Sequence, residues 1–104
     1  MGRIPSMSEN FTDAVVEKIK TIEGNLKPDE VLNVYCETPD GRMRVGSLQF
    51  TNAPVVLVYG MDDHDVATCL ISTSFALELV CKVTKGNPNQ KKIPIGFDLP
   101  SKAE

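Results

Sequence analysis

Apolar positions along this chain follow two rhythms, one helical and near the start, the other alternating and covering the rest. Between Ser8 and Glu23, the residues Phe11, Val15, Ile19 and Ile22 recur at spacings of four, four and three, so they form one stripe of a helix. Ala14 and Val16 flank the stripe, while Glu17, Lys18 and Lys20 lie away from it. Ser8 or Asn10 can cap the start, with Asp13 three residues after Asn10, and Gly24 is a stop signal. A single stripe predicts a helix laid on an apolar face, most simply an open face of a sheet.

After a polar connection from Asn25 to Glu30, period two takes over. In Val31 to Thr38, the residues Leu32, Val34 and Cys36 share one face and Asn33, Tyr35 and Glu37 the other. Pro39-Asp40-Gly41 is a turn signal, which predicts a hairpin with the next strand. That strand belongs to the central stretch, Met43 to Asp62, around which the chain is organised. Met43, Val45 and Ser47 point one way, and Arg44, Gly46, Leu48 and Phe50 the other. Gly46 in mid-strand marks a bulge or a strong bend. A bend at Thr51-Asn52-Ala53-Pro54 leads into Val55 to Tyr59, apolar on both faces, as in a strand covered on both sides by its own domain or by a neighbouring subunit.

Met61 to Asp65 predicts an acidic loop, Val66 to Thr73 a further strand, and Ser74 a break. Leu77 to Val83 alternates again, Leu77, Leu79, Cys81 and Val83 against Glu78, Val80 and Lys82. Helical spacing of Phe75, Leu79 and Lys82 offers a competing reading, but Val80, Cys81, Val83 and Thr84 favour strand. Past a loop at Gly86-Asn87-Pro88-Asn89, Ile93, Ile95, Phe97 and Leu99 alternate around Pro94. Since proline cannot donate to a ladder, this is an edge strand or a packed extended tail. The fold expected is mainly β: an N-terminal helix, then a strongly bent five-stranded antiparallel sheet or small open barrel, then an extended C-terminal tail. Residues 1–7 are expected to be a flexible leader, 8–100 one domain and 101–104 a tail.

Composition narrows the function. The chain has 104 residues, enough for one domain with a thin core, so assembly is a plausible source of added stability. No apolar run approaches the about 20 residues of a membrane span, and no membrane partner is expected. The net charge of −3 has the wrong sign for coating nucleic acid by bulk electrostatics, though a local basic site remains open. Cys36, Cys69 and Cys81 are an odd set without Cys-x-x-Cys spacing, all inside apolar strand patterns, which predicts buried reduced thiols in a cytoplasmic protein.

Asp40-Gly41, Gly46-x-Leu48, a short bend and then Val55-Val56-Leu57-Val58 together resemble the Sm-like (LSm/Hfq-like) family. Its pattern has a glycine within a strongly bent second strand, then a short loop and an apolar third strand. Ile71-Ser72-Thr73 also stands where the bacterial branch has a similar string after its fourth strand. The likeness covers roughly residues 8 to 83. It implies a closed homo-oligomeric ring of about five to seven subunits joined strand to strand. RNA binding is implied less firmly. The loop aromatic-Asp of the family corresponds to Thr51-Asn52, its base-stacking position to Pro54, and the basic-then-histidine pair of its second loop to Thr68 and Cys69.

The candidate nucleic-acid contacts are therefore Asn52, Ala53 and Pro54 in the first loop and Thr68 and Cys69 in the other. Asn52 can read a base edge or only cap its turn. Arg42 and Arg44, on one strand face, can hold phosphates or form a solvated face. Phe50 and Tyr59 can stack bases, but core and half-buried positions suit them better. Lys82, Lys85, Lys91 and Lys92 are the one basic concentration, fit for tracking phosphates or for guarding an edge against aggregation. Asp62-Asp63-His64-Asp65 has the chemistry of a metal or acid–base site, but neighbours on a hairpin tip rarely converge on one ion. There is no nucleophile elbow and no phosphate-loop glycine spacing, so no enzyme, cofactor or metal is expected. The two leading readings are a non-catalytic Sm-like ring binding RNA or other nucleic acid, and a structural or protein-interaction ring without the RNA site.

Overall fold

A computed structural model of the protein describes residues 7–52, 54–87 and 92–100. Helix α1 spans Met7–Gly24 and is followed by β1 (Glu30–Thr38), β2 (Gly41–Phe50), β3 (Val55–Asp62), β4 (Ala67–Thr73), β5 (Val80–Lys85) and β6 (Gly96–Asp98). The strand order is β4-β3-β2-β1-β5, antiparallel throughout, with β6 added parallel to β2. The sheet is open, with β4 and β5 as its terminal strands. Residues 1–6 of the leader expected at 1–7, and the terminal tail expected at 101–104, lie outside the described residues, as does Ala53. Met7, counted with the leader from sequence, is already helical, so Ser8 and Asn10 sit inside the helix.

The expected hairpin closes at Thr38 opposite Gly41, leaving Pro39-Asp40 as the loop. Gly41 takes φ of 144°, a conformation glycine adopts without strain. Along β2 the pairing with β3 runs Val45↔Gly60 and then Ser47↔Tyr59, so Gly46 is the extra residue of a bulge. The bulge reverses the side-chain phase. Met43 and Val45 before it, and Leu48 and Phe50 after it, are all buried in the same core. Strict alternation had set Leu48 and Phe50 on the face opposite Met43, and the extra residue corrects that.

The bend at Gly46 also changes β2's neighbour. Its first half pairs with β1, up to Tyr35↔Arg44, while Ser47 to Gln49 pair with β6. Beyond Tyr35, β1 continues against β5. Between the parted strands lies an open cleft of about 500 Å³, walled by Val31 to Val34, Arg44 to Gly46 and the tail residues Lys92 to Ile95. Two bonds hold the tail there: Ile95 N donates to Glu23 Oε2 (2.8 Å), and Lys92 Nζ to the Lys27 carbonyl (2.7 Å). Ile95 and Phe97 turn to the core while Ile93 and Leu99 stay exposed.

Helix α1 lays its stripe on the sheet: Ile19 is buried, Phe11, Val15 and Val16 pack against the core, and the Phe11 and Phe50 rings meet edge-on at 6.4 Å. The strand expected from Leu77 starts only at Val80. The amides of Ala76 and Leu77 bond back to the Thr73 carbonyl, making a turn that swings Leu77 into the core. The helix alternative at Phe75 to Lys82 is not adopted. In β3 one face, Val56 and Val58, is buried, while Val55 and Leu57 are half-buried and Tyr59 and Met61 exposed, so the chain itself covers only one side. Cys36 is buried and Cys81 partly so, but Cys69 is exposed, contrary to the expectation that all three thiols are covered.

Candidate nucleic-acid interface

The outer face of β2, β1 and β5 gathers what the core rejects. Alternation turns Val34 and Cys36 inward and Tyr35 outward, and the tight hairpin then sets Tyr35 beside Arg44 and Glu37 beside Arg42. The Arg42 guanidinium reaches diagonally over the Tyr35 ring, 4.2 Å from its centre, and Lys82 Nζ approaches from β5 at 5.9 Å. Arg44 is exposed on the same row. Asn33 faces Lys82 across the strands and donates its amide to Thr84 Oγ1 (3.3 Å). The result is an aromatic ring with Arg42 and Lys82 over it, Arg44 opposite on the next strand and Glu37 the carboxylate facing Arg42. An exposed guanidinium offers a planar fork of donors that suits phosphate, and an aromatic ring can serve as a platform for a base. Sequence reasoning paired Arg42 with Arg44 but passed over Tyr35. The hairpin register carried the signal, because a two-residue loop at Pro39-Asp40 places residue 35 opposite residue 44.

The loop residues are arranged differently. Asn52 and Pro54 are exposed in the β2–β3 bend, where Thr51 Oγ1 donates to the Val55 carbonyl (2.9 Å). The Pro54 carbonyl accepts from Ser74 N (3.0 Å), so the bend lies against the β4–β5 connection and its exposed Phe75. Thr68 and Cys69 are not part of that connection. They lie within β4, opposite Gly60 and Tyr59, and the Thr68 hydroxyl is turned to the Val66 carbonyl. Five residue steps of strand, roughly 17 Å, lie between Thr68 and Thr73, so the two sets of loop candidates are not brought together within one chain. Ser74, taken from sequence as a break, is the residue that meets Pro54, and Phe75, read there as a possible helix start, follows it. Phe50 is in the core, and Tyr59 is exposed with its hydroxyl donating to Gln49 Oε1 (2.9 Å).

The acidic segment is a turn closed by its own first residue. Asp62 accepts from the amides of Val66 (2.9 Å) and His64 (2.8 Å). These bonds, Val66 first, hold its carboxyl below the usual range. Among the described residues no group of His, Cys, Asp or Glu is placed to hold a metal ion. No helix among them is long and apolar enough to cross a membrane. Comparison with family models, curated proteins and solved structures finds no match for this chain.

Proposed function

We propose that this chain is an Sm-like subunit that assembles through its sheet edges into a homo-oligomeric ring of about five to seven copies, and that the ring binds RNA or another nucleic acid without catalysis. The observation that carries the assembly is the open sheet with β4 and β5 as terminal strands, which bear exposed Ile71 on one and Val80 and Val83 on the other. Such edges expose unpaired backbone groups and apolar side chains together, and pairing with another copy covers both. The Arg42–Tyr35–Arg44 face, repeated around a ring, supports the nucleic-acid reading. Three unbridged cysteines suit a reducing, cytoplasmic setting.

A second reading, a structural or protein-interaction ring, is favoured by a separate fact. The net charge is −3 and the exposed bend offers Asn52 and Pro54 but no cation. Binding of labelled oligo-U and oligo-A across a salt series separates the two. The first reading predicts binding at low salt that weakens steeply as salt rises, and weakens again in Tyr35→Ala and Arg42→Ala. Absence of binding at low salt leaves the structural ring.

A further inference from the structure

We propose that the acidic β3–β4 turn of one copy docks against Lys85 at the end of β5 in the next, fixing the direction and register in which the edges join. This rests on the ring reading above and adds how each joint is keyed.

In β4, Thr68, Leu70 and Ser72 turn toward the core side, while Ala67, Cys69 and Ile71 face out. In β5, Cys81 and Val83 stand opposite Val34 and Leu32 on the core side, and Val80 and Lys82 opposite Tyr35 and Asn33 on the outer side. A joint that keeps both faces continuous must match like with like. An antiparallel joint with Ile71 opposite Val80 does so. It sets Leu70 against Cys81, Thr68 against Val83 and Val66 against Lys85. Ile71 is 69% exposed and Val80 48%, so each covers the other's uncovered apolar surface.

Charge then selects the direction. In the antiparallel joint Asp65 comes opposite Gly86, the chain neighbour of Lys85, and Asp63 follows it in the same turn. Run parallel, the same turn would meet the start of β5, next to exposed Glu78, and Lys85 would lie by uncharged Ser72 and Thr73. One direction joins acid to base and the other acid to acid. Asp62 is committed to its own turn, but Asp63 and Asp65 are exposed and make no ion pair among the described residues. Lys85 holds Asp29 at 3.2 Å across a largely exposed pair, which can be shared with a second acid. Antiparallel pairing is also the stronger ladder per residue.

Native mass spectrometry of the whole chain at low salt tests the key. Three samples are compared with wild type: Asp63→Lys/Asp65→Lys, Lys85→Glu, and an equal mixture of the two. Each variant alone sets like charges at every joint, and its assembly should shift to about tenfold higher protein concentration. The mixture restores opposite charges wherever unlike variants meet, so it should assemble at the wild-type concentration in an even-membered ring, and well below the concentration either variant needs alone in an odd-membered ring, where one like-charged joint remains. Asp65→Asn, which tolerates the positive φ of 61° at that position, should give a smaller loss with the turn intact. Wild-type rings with unaffected variants, or weakened variants whose mixture assembles no better than either alone, overturn the key and leave the ring standing. A monomeric wild type overturns both.

Discussion

At Gly60 an added Cβ would fall inside contact distance of the Arg44 backbone carbonyl and press on the Met43 side chain. At Gly46, the bulged residue, a Cβ would meet only the Tyr59 carbonyl at 3.7 Å. The glycine that stands out in sequence is therefore not the one with the steric need, which belongs to its partner strand. Gly60→Ala should cost about 3 kcal/mol or more in urea denaturation, and Gly46→Ala less than about 1 kcal/mol. Asp62 gives the pH prediction. Its carboxyl is held down in the folded turn, so its contribution is present above its unfolded pKa, near 3.8, and is lost as pH falls through the lower folded value. NMR titration should place its midpoint below that of an ordinary aspartate, and Asp62→Ala should abolish protection of the Val66 amide. Thiol chemistry follows exposure. Burial, with Glu37 nearby, pushes the Cys36 thiol up, and burial does the same for Cys81 against the pull of Lys18. Alkylation followed by mass analysis should therefore modify Cys69 first and Cys36 only on unfolding.

Each element's existence was legible in the pattern, and the departures lie where a local rule was overridden. The stripe Phe11, Val15, Ile19 and Ile22 located α1, and Pro39-Asp40-Gly41 located the hairpin. Alternation could not say that the phase resets at Gly46, because a bulge inserts a residue without changing composition. Nor could it give the start of β5, where the Thr73 carbonyl captures two amides and turns Leu77 inward. Thr68 and Cys69 were placed in a loop by likeness to a pattern, whereas their β-branched and apolar neighbours build strand β4. The tail is the least legible element. Its alternation was visible, but its parallel seat on Ser47 to Gln49 depends on β1 leaving β2. Gly96 lies so close that a Cβ would come within 3.3 Å of Ser47 Cβ. Gly96→Val should therefore unseat β6. Hydrogen exchange would show the Phe97 amide losing protection, with β2 to β4 unchanged. Equal loss across all strands would mean that β6 is integral to the core.

For the molecule as a whole, the fold leaves one covered and one partly uncovered side. The core gathers under α1, the outer face carries Tyr35 among its cations, and two edges end the sheet. A strand such as β3, apolar on both faces yet covered by its own chain on one, is accounted for if another copy lies close by. The measurement that bears most directly on this is the mass of the protein in solution, by native mass spectrometry with light scattering at matched concentration. A ring predicts one closed species of about five to seven times the 11.4 kDa chain, stable to dilution into the micromolar range. A single 11.4 kDa species throughout that range would contradict it.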